Sequence, residues 1–452
     1  MNGIRLTDSN NLREGDRMKH RSFIVLTIIL FLVLLTGCVK EGSQSTAVSS
    51  PQEEGIKVDL QTPTELIFYD ETNMSEDVFN ERFAKPIRDK FPNVSFKVIK
   101  PGKGTYISEI ASSGTFPDIF FTTSWSFPLQ VDGGMVSNLN DWVKKDSTNI
   151  SSYQPTLIDT IKSFSPKDEL FALPYSNYAS VLYYNKDIFD RFAVPYPKDG
   201  MSYEEAIELG KKLTKNDGGV MYTGFFPGNY SFTYALYKAG FVDVANKKSS
   251  FNNPEMKQVF DLLKTGFSSQ GMEYMDYTAA LNKFYKDKTL AMLPYHFELG
   301  RMEAEAKSGS GFNWDMVQAP TIAGFNHSGA PSMLSISSQT KHTALAFKII
   351  SYLSSSVEYQ TMLAKKGILP VVNNPEIKKA FGSSLDYLSG KHIEAISKAK
   401  PQSILKPTQF DRVPDKYLTQ ALKDVVTGST DVNTALSKAE EQANKDLLSQ
   451  IK

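Results

Sequence analysis

Short apolar runs alternate with polar turns from residue 56 onwards, and their spacing predicts alternating strands and helices. Strands are predicted at 65–69, 94–99 and 119–122, which are continuously apolar or alternate in polarity. Helices are predicted at 75–90 and 106–113, where apolar residues recur every three or four positions. This β-α-β-α-β order is typical of a parallel sheet with crossover helices, which places the chain in the α/β fold class.

Helix boundaries are also marked in the second half of the chain. Ser202 and Glu205 form a Ser-x-x-Glu capping box, which predicts that a helix begins there. Further helices are predicted at 344–353 and 432–448. Gly367 is placed to end the helix that follows 344–353, since glycine adopts the left-handed conformation common after a last helical turn.

A short apolar run near the N-terminus predicts a secretory signal. Basic residues precede the 13 residues Phe23–Leu35, which are fewer than the roughly 20 that a membrane-spanning helix needs. The run ends in Leu35-Thr36-Gly37-Cys38. This motif resembles the lipobox of bacterial lipoproteins, in which the cysteine receives a diacylglycerol and becomes the new N-terminus. The alternative is a buried cysteine after a chance apolar run, but Cys38 is the only cysteine in the chain.

Charge and length narrow the class of protein. The whole chain has 50 basic and 50 acidic residues, of which five basic and three acidic residues lie in the predicted signal peptide at 1–37. Without that segment, 415 residues remain, with 45 basic and 47 acidic side chains. This nearly neutral chain has no basic field to attract nucleic acid.

Residues 38–55 are small and polar and predict a flexible linker, and the length of the remainder predicts two lobes. Met18 is an alternative translation start to Met1.

Four stretches resemble the family 1 extracellular solute-binding proteins, the maltose-binding-protein-like group. They are FPDIF at 116–120, ALPY and YYNKDIF within 172–189, FYKDKTLAM at 284–292, and the segment 335–370. The third departs from the family pattern, because Asp287 stands where a glycine is usual. The stretches are short, but their order and spacing behind a lipobox are specific, and the resemblance runs from about residue 56 to the end.

The resemblance implies a two-lobed periplasmic-binding-protein-like fold with a ligand cleft between the lobes and three hinge crossings. We expect the crossings near Asn177, Pro320 and Leu353. The expected lobes are made of paired segments, 56–177 with 321–353 and 178–320 with 354–452. Proteins of this group close around their ligand by a hinge motion and present the closed form to an ABC permease.

No pattern for catalysis or metal binding stands out. The five histidines are scattered, and the sequence contains no His-Glu-x-x-His motif, Cys/His cluster or Gly-x-Ser-x-Gly elbow. We therefore expect no enzymatic activity, no metal and no cofactor. Tyr183 and Tyr184 could be considered as an iron-binding pair, but adjacent residues on a strand point to opposite faces of the sheet.

Ligand contacts are expected after the strands, because open α/β sheets bind ligands outside the carboxyl ends of their strands. A sugar presents an apolar ring face and a rim of hydroxyls, which flat aromatic rings and carboxylate or amide groups can contact. The candidate contacts are Glu71, Trp125, Tyr175, Asn177, Tyr230, Tyr295 and Glu298. The alternative for each aromatic residue is packing inside a lobe. Asp118 is interpreted as a buried group that bonds nearby backbone.

The leading hypothesis is a lipid-anchored solute-binding subunit of an ABC importer on the extracytoplasmic face of the cell membrane. Its partners would be a carbohydrate ligand, the transmembrane subunits of the permease and, through the lipid on Cys38, the membrane. One alternative is another small solute, such as a polyamine, a peptide or iron. A second is a ligand-presenting sensor for a membrane receptor. A third, a lipid-tethered polysaccharide enzyme, is disfavoured by the missing catalytic pattern.

We predict that Cys38 is acylated and begins the mature protein. Intact-mass analysis of native protein from membranes should find a chain that starts at Cys38 and carries lipid. Replacing the thiol in Cys38→Ser should release the protein from membranes. The melting temperature should not change, because the polar linker has few apolar side chains that could pack against the folded part. A lipid-free mature chain with another N-terminus contradicts this prediction.

Overall fold

Two five-stranded sheets organise the chain. The computed structural model describes residues 56–113, 116–124, 126–243, 245–269, 271–296, 299–309, 311–326, 331–398, 408 and 410–450. Cys38 and the predicted signal and linker lie outside these residues. The described strands are β1 (Thr64–Asp70), β2 (Val94–Ile99), β3 (Ile119–Thr123), β4 (Leu173–Ser176), β5 (Ser180–Asn185), β6 (Lys215–Asp217), β7 (Val220–Phe225), β8 (Val242–Asp243), β9 (Lys248–Ser249), β10 (Leu290–His296), β11 (Trp314–Gln318) and β12 (Ser332–Ile336).

The first sheet has the strand order β2-β1-β3-β12-β4. Strand β1 is parallel to both β2 and β3, which confirms the predicted parallel sheet. Strand β12 enters from a distant part of the chain and runs antiparallel between β3 and β4. All five of its residues are buried, as expected of a central strand covered on both faces.

The second sheet has the strand order β11-β5-β10-β7-β6, and β8 and β9 form a separate hairpin. The interior strand β5 is buried throughout and is antiparallel to its neighbours β10 and β11. Tyr183 packs against Phe284 and Trp314, whereas Tyr184 packs against Phe189 on the other side of the sheet. The two rings therefore lie on opposite faces, and they do not form a pair of metal ligands.

Helices cover the sheets, and none in the described part of the chain is long and apolar enough to span a membrane. They are α1 (Glu76–Phe79), α2 (Lys85–Lys90), α3 (Ile107–Ser113), α4 (Phe127–Asp132), α5 (Asn140–Lys145), α6 (Pro155–Ser163), α7 (Lys186–Arg191), α8 (Tyr203–Leu213), α9 (Tyr230–Thr233), α10 (Pro254–Ser268), α11 (Tyr277–Tyr285), α12 (Leu299–Ser308), α13 (Thr343–Ser355), α14 (Val357–Lys365), α15 (Pro375–Lys379), α16 (Arg412–Val426) and α17 (Val432–Gln450).

The helix ends follow their local sequence signals. A π-helical segment at 80–84 joins α1 to α2, so that the predicted helix at 75–90 is continuous. The Ser202 side chain accepts from the Glu205 N–H, and the Glu205 carboxylate accepts from the Ser202 N–H, which confirms the capping box. Gly367 follows α14 with a φ of +74°, the left-handed conformation predicted for it.

The chain passes between the cores of the two sheets three times, but the third crossing lies later than expected. The first separates β4 from β5, and the second lies between Ile322 of the second core and Met333 of the first. Tyr359 and Leu363 of α14 still pack in the first core, and Leu388 is the next buried residue in the second. The expected position near Leu353 is therefore corrected to the stretch that follows α15.

The reason for this correction is a buried glutamine. Gln360 on α14 is fully buried, and its amide nitrogen donates to the carbonyls of Tyr175 at 3.2 Å and Leu353 at 2.8 Å. Its amide oxygen accepts from the N–H of Val371 at 3.1 Å. A buried amide must keep these hydrogen bonds, so α14 stays attached to the first lobe.

Asp118 ties β1 and β3 to the segment before α13. Its side chain is nearly buried and accepts from the N–H of Ile67 at 2.7 Å. The hydroxyl of Thr340 donates to the other carboxylate oxygen. The interpretation of Asp118 as a buried group bonded to nearby backbone is confirmed.

We predict that Asp118→Ala lowers the free energy of unfolding by about 1–3 kcal/mol, because it leaves the N–H of Ile67 without its acceptor. Urea unfolding at pH 7 measures the change. The matched control is Asp159→Ala, which removes an exposed carboxylate on α6 and should change stability by less than about 0.5 kcal/mol. Equal unfolding midpoints for the two variants contradict the prediction.

Candidate functional site

Four strands of the first sheet bring their ends together at one edge. Ser332 at the start of β12 lies opposite Thr123 on β3 and opposite Ser176 on β4. Asp70 at the end of β1 lies opposite Phe121 of β3. Because β12 is antiparallel, its first residue lies where the neighbouring strands finish. We call the group formed by Glu71, Thr123, Ser332 and Ser176 the first edge.

Glu71 is half-buried on the first edge, and Thr123 of strand β3 holds its side chain in place. One carboxylate oxygen, Oε2, accepts from the N–H of Thr123 at 2.7 Å and from its hydroxyl at 3.2 Å. Among the described residues no donor reaches the other oxygen, Oε1. The neighbouring Asp70 is different, because it is fully buried and its carboxylate accepts bonds from Thr72 and Met74. Glu71 therefore presents an acceptor on a turn that Asp70 shapes.

The second sheet presents an edge of its own beside the first. His296 at the end of β10 lies opposite Ser180 at the start of β5. Only residues 177–179 separate β4 from β5, so Ser176 and Ser180 bring the two edges close together. We call the group formed by Tyr295, His296 and Ser180 the second edge.

Aromatic rings surround the second edge. The Tyr295 ring is only partly buried and lies 5.3 Å from the ring of Tyr277 and 5.5 Å from that of His296, measured between centroids. Phe232 of α9 lies 6.0 Å from His296 on another side. Burial lowers the pKa of His296, so its imidazole is neutral at pH 7. The second edge is thus a largely uncharged aromatic surface, which suits contact with an apolar ring face.

Tyr178 connects the two edges. Its hydroxyl lies 3.3 Å from the hydroxyl of Ser332 on the first edge, and its ring lies 6.3 Å from that of His296 on the second. Asn177 positions this segment. Its N–H donates to the carbonyl of Leu369 at 3.0 Å, and its amide oxygen accepts from the N–H of Tyr178 at 2.8 Å. Asn177 thus links the first crossing to the segment after α14.

Two predicted contacts lie inside the lobes instead. Tyr175 is 1% exposed, stacks on Phe83 with ring centroids 4.9 Å apart, and has its hydroxyl 3.3 Å from that of Tyr359. Burial raises the pKa of Tyr175 to about 12. Tyr230 is 2% exposed, and its hydroxyl bonds Asp415 of α16. Both rings pack as core residues, which was the alternative interpretation of the aromatic candidates.

The remaining candidates and one unforeseen residue complete the comparison with the predictions. Trp125 and Glu298 lie outside the described residues. Glu71 and Tyr295 belong to the two edges and Asn177 lies between them, and their contact with a ligand stays a prediction. Ser332 was not predicted, because in the sequence it stands only at the start of an apolar run. Its partners on the adjacent strands, Thr123 and Ser176, are far away in the chain. Within the described residues, no group of three or more His, Cys, Asp or Glu side chains could hold a metal ion.

Comparisons with known proteins assign the fold to a family. The profile of the family described as "Bacterial extracellular solute-binding protein" matches residues 76–359. The galactooligosaccharide-binding protein of Bacillus subtilis (strain 168) is 23% identical over 436 residues, covering 89% of this chain and 94% of that protein.

Solved structures agree in fold at lower identity. The sugar-binding protein MalE from Xanthomonas citri matches with a TM-score of 0.67 and 14% identity, covering 86% of this chain and 98% of that one. An ABC substrate-binding protein from Listeria monocytogenes in complex with cycloalternan matches with a TM-score of 0.66 and 19% identity, covering 85% and 98%. With its two lobes, its paired strand edges and a family profile that spans more than half of its length, the chain belongs to the bacterial extracellular solute-binding proteins.

Proposed function

We propose that this protein is the lipid-anchored, sugar-capturing subunit of an ABC importer. The observation that carries the proposal is the pairing of two unlike surfaces at the crossings. The first edge presents the half-buried Thr123 and the Glu71 carboxylate, whose Oε1 is reached by no donor among the described residues, and the second edge presents the Tyr295 ring and its aromatic neighbours. A sugar needs both kinds of contact at once, because its hydroxyls require hydrogen-bond partners and its ring faces require apolar ones.

The relatives narrow the sugar class to be tested first. The B. subtilis relative is a galactooligosaccharide-binding protein, and the L. monocytogenes structure contains cycloalternan. Both names refer to oligosaccharides. We therefore propose an oligosaccharide as ligand, with galactooligosaccharides as the first candidates. In keeping with the family, the protein would bind its ligand and release it unchanged.

The three crossings suit a protein that closes around a ligand. Each lobe has its own core, while Tyr178 touches groups of both edges from within the first crossing. A ligand that contacts both edges favours the closed arrangement by its differential affinity for that state. We propose that the closed form delivers the sugar to a permease, while the lipid on Cys38 keeps the protein at the membrane.

We predict that a β-1,4-galactooligosaccharide stabilises the protein in a thermal-shift screen. A ligand present at 100 times its dissociation constant should raise the free energy of unfolding by about 2.7 kcal/mol. The screen should include maltooligosaccharides, mannooligosaccharides, a polyamine, a dipeptide and ferric citrate. If the polyamine, the dipeptide or ferric citrate raises the melting temperature and no sugar does, the protein binds another class of solute and the sugar assignment is wrong.

We predict that binding depends on the two edges. Calorimetric titration with the best sugar should find affinity lowered about 10- to 100-fold in Glu71→Gln and Tyr295→Ala. The first variant weakens a charged hydrogen bond, which contributes about 1.5–3 kcal/mol, and the second removes a ring whose burial contributes on a similar scale. Trp125→Ala and Glu298→Gln test the two predicted contacts outside the described residues.

The control for these variants is Tyr230→Phe. It removes a buried hydroxyl that bonds Asp415, so it should lower stability and leave the affinity of the folded protein unchanged. If Trp125→Ala and Tyr295→Ala both bind as tightly as the parent protein, the assignment of the aromatic side of the cleft is wrong.

A further inference from the structure

An exposed tyrosine lies on the loop that follows β2. Strand β2 is parallel to β1, and Ile99 near its end lies opposite Tyr69, two residues before Glu71. The loop at 100–106 therefore leaves the first sheet at the same edge as Glu71. Tyr106 ends this loop and is 53% exposed. It was predicted only as the start of the short helix α3.

The loop is ordered by its own hydrogen bonds. The hydroxyl of Thr105 donates to the carbonyl of Lys100 at 2.7 Å. The Glu109 carboxylate accepts from the N–H groups of Gly104 at 2.9 Å and Tyr106 at 3.1 Å, and so caps the start of α3. The ammonium of Lys100 bonds the carbonyl of Met74, which joins the loop to the segment after β1.

An exposed aromatic ring on an ordered loop is available for a ligand to stack on it. Burying a large apolar side chain stabilises a fold, and Tyr106 forgoes much of this gain at 53% exposure. Holding the loop in one conformation also costs backbone entropy. The same features lower the cost of binding, because a ring that is already placed loses little freedom when a ligand stacks on it.

The first sheet sets the distance between this ring and the crossing. The strand order β2-β1-β3-β12-β4 puts four strand spacings between the loop after β2 and the segment after β4. At about 4.8 Å per spacing, this row is about 19 Å long. A pyranose ring is about as wide as one spacing, so a single sugar cannot contact both ends of the row. The loop that carries Tyr106 leaves the sheet at one end of the row, Glu71 follows the neighbouring strand β1, and Tyr178 follows β4 at the other end.

We infer that Tyr106 stacks on a terminal ring of a linear oligosaccharide of three or more units. The inference rests on the proposed sugar-binding function and extends it from a substrate class to a ligand length. The units beside Tyr178 and Tyr295 bind in the same way in short and long ligands. Only a ligand that extends along the row past Glu71 reaches Tyr106, so this residue selects for chain length.

The test is a titration series in which ligand length is the variable. Parent protein, Tyr106→Ala and Tyr106→Phe are titrated with β-1,4-galactose oligomers of one to four units, and with the maltose series of the same lengths. The matched control is Tyr196→Ala, which removes another exposed tyrosine, one that packs against Tyr184 at the opposite end of β5 from Ser180.

The expected result is that parent affinity rises from the disaccharide to the trisaccharide or tetrasaccharide. Tyr106→Ala should lower the affinity for the trisaccharide or tetrasaccharide about 3- to 10-fold and leave the affinity for the disaccharide unchanged. Tyr106→Phe should retain the rise, since it keeps the ring, and Tyr196→Ala should behave as the parent at every length.

Two results overturn the inference while leaving sugar binding intact. One is a parent affinity that does not change beyond the disaccharide. The other is a Tyr106→Ala variant whose loss is absent or equal at all lengths. If the parent binds no member of either series and no sugar of the thermal-shift screen, both the inference and the proposed function fail, and this outcome is distinguished from the first two by the parent protein alone.

Discussion

The position of β12 between β3 and β4 is the constraint on which the rest of the structure depends. This strand follows all five strands of the second sheet in the chain, and its five residues are all buried. The first lobe therefore cannot complete its sheet until the chain returns to it. The return places Ser332 between Thr123 and Ser176, and so creates the polar edge of the candidate site.

Buried groups fix the backbone of this edge, and half-buried groups are left to meet a ligand. Asp70 uses its carboxylate on Thr72 and Met74, whereas Glu71 uses one oxygen on Thr123. Gln360 fixes backbone in the same way on α14, where its side chain bonds three backbone groups of the first lobe. Such satisfied buried networks make an edge stiff, which lowers the cost of ordering it on binding.

The second edge differs in chemistry because of the elements that surround it. The end of β10 is bordered by α9 and α11, which supply Phe232 and Tyr277. Their rings contact His296 and Tyr295 and leave a neutral aromatic surface opposite a polar one. Closing two unlike surfaces on one ligand is a physical basis for specificity, since a solute that satisfies one surface alone leaves the other unpaired.

Local chemistry in the sequence determined the elements, and long-range packing decided the site. The strand at 94–99, the capping box at Ser202 and the left-handed Gly367 depend on neighbours a few residues away, so their patterns predicted them correctly. The core position of Tyr175 depends on Tyr359, which is 184 residues later, and that of Tyr230 on Asp415, 185 residues later. An aromatic residue after a strand has the same local pattern in a core and in a cleft. Only the tertiary structure separates the two, because burial is a property of what the rest of the chain packs around it.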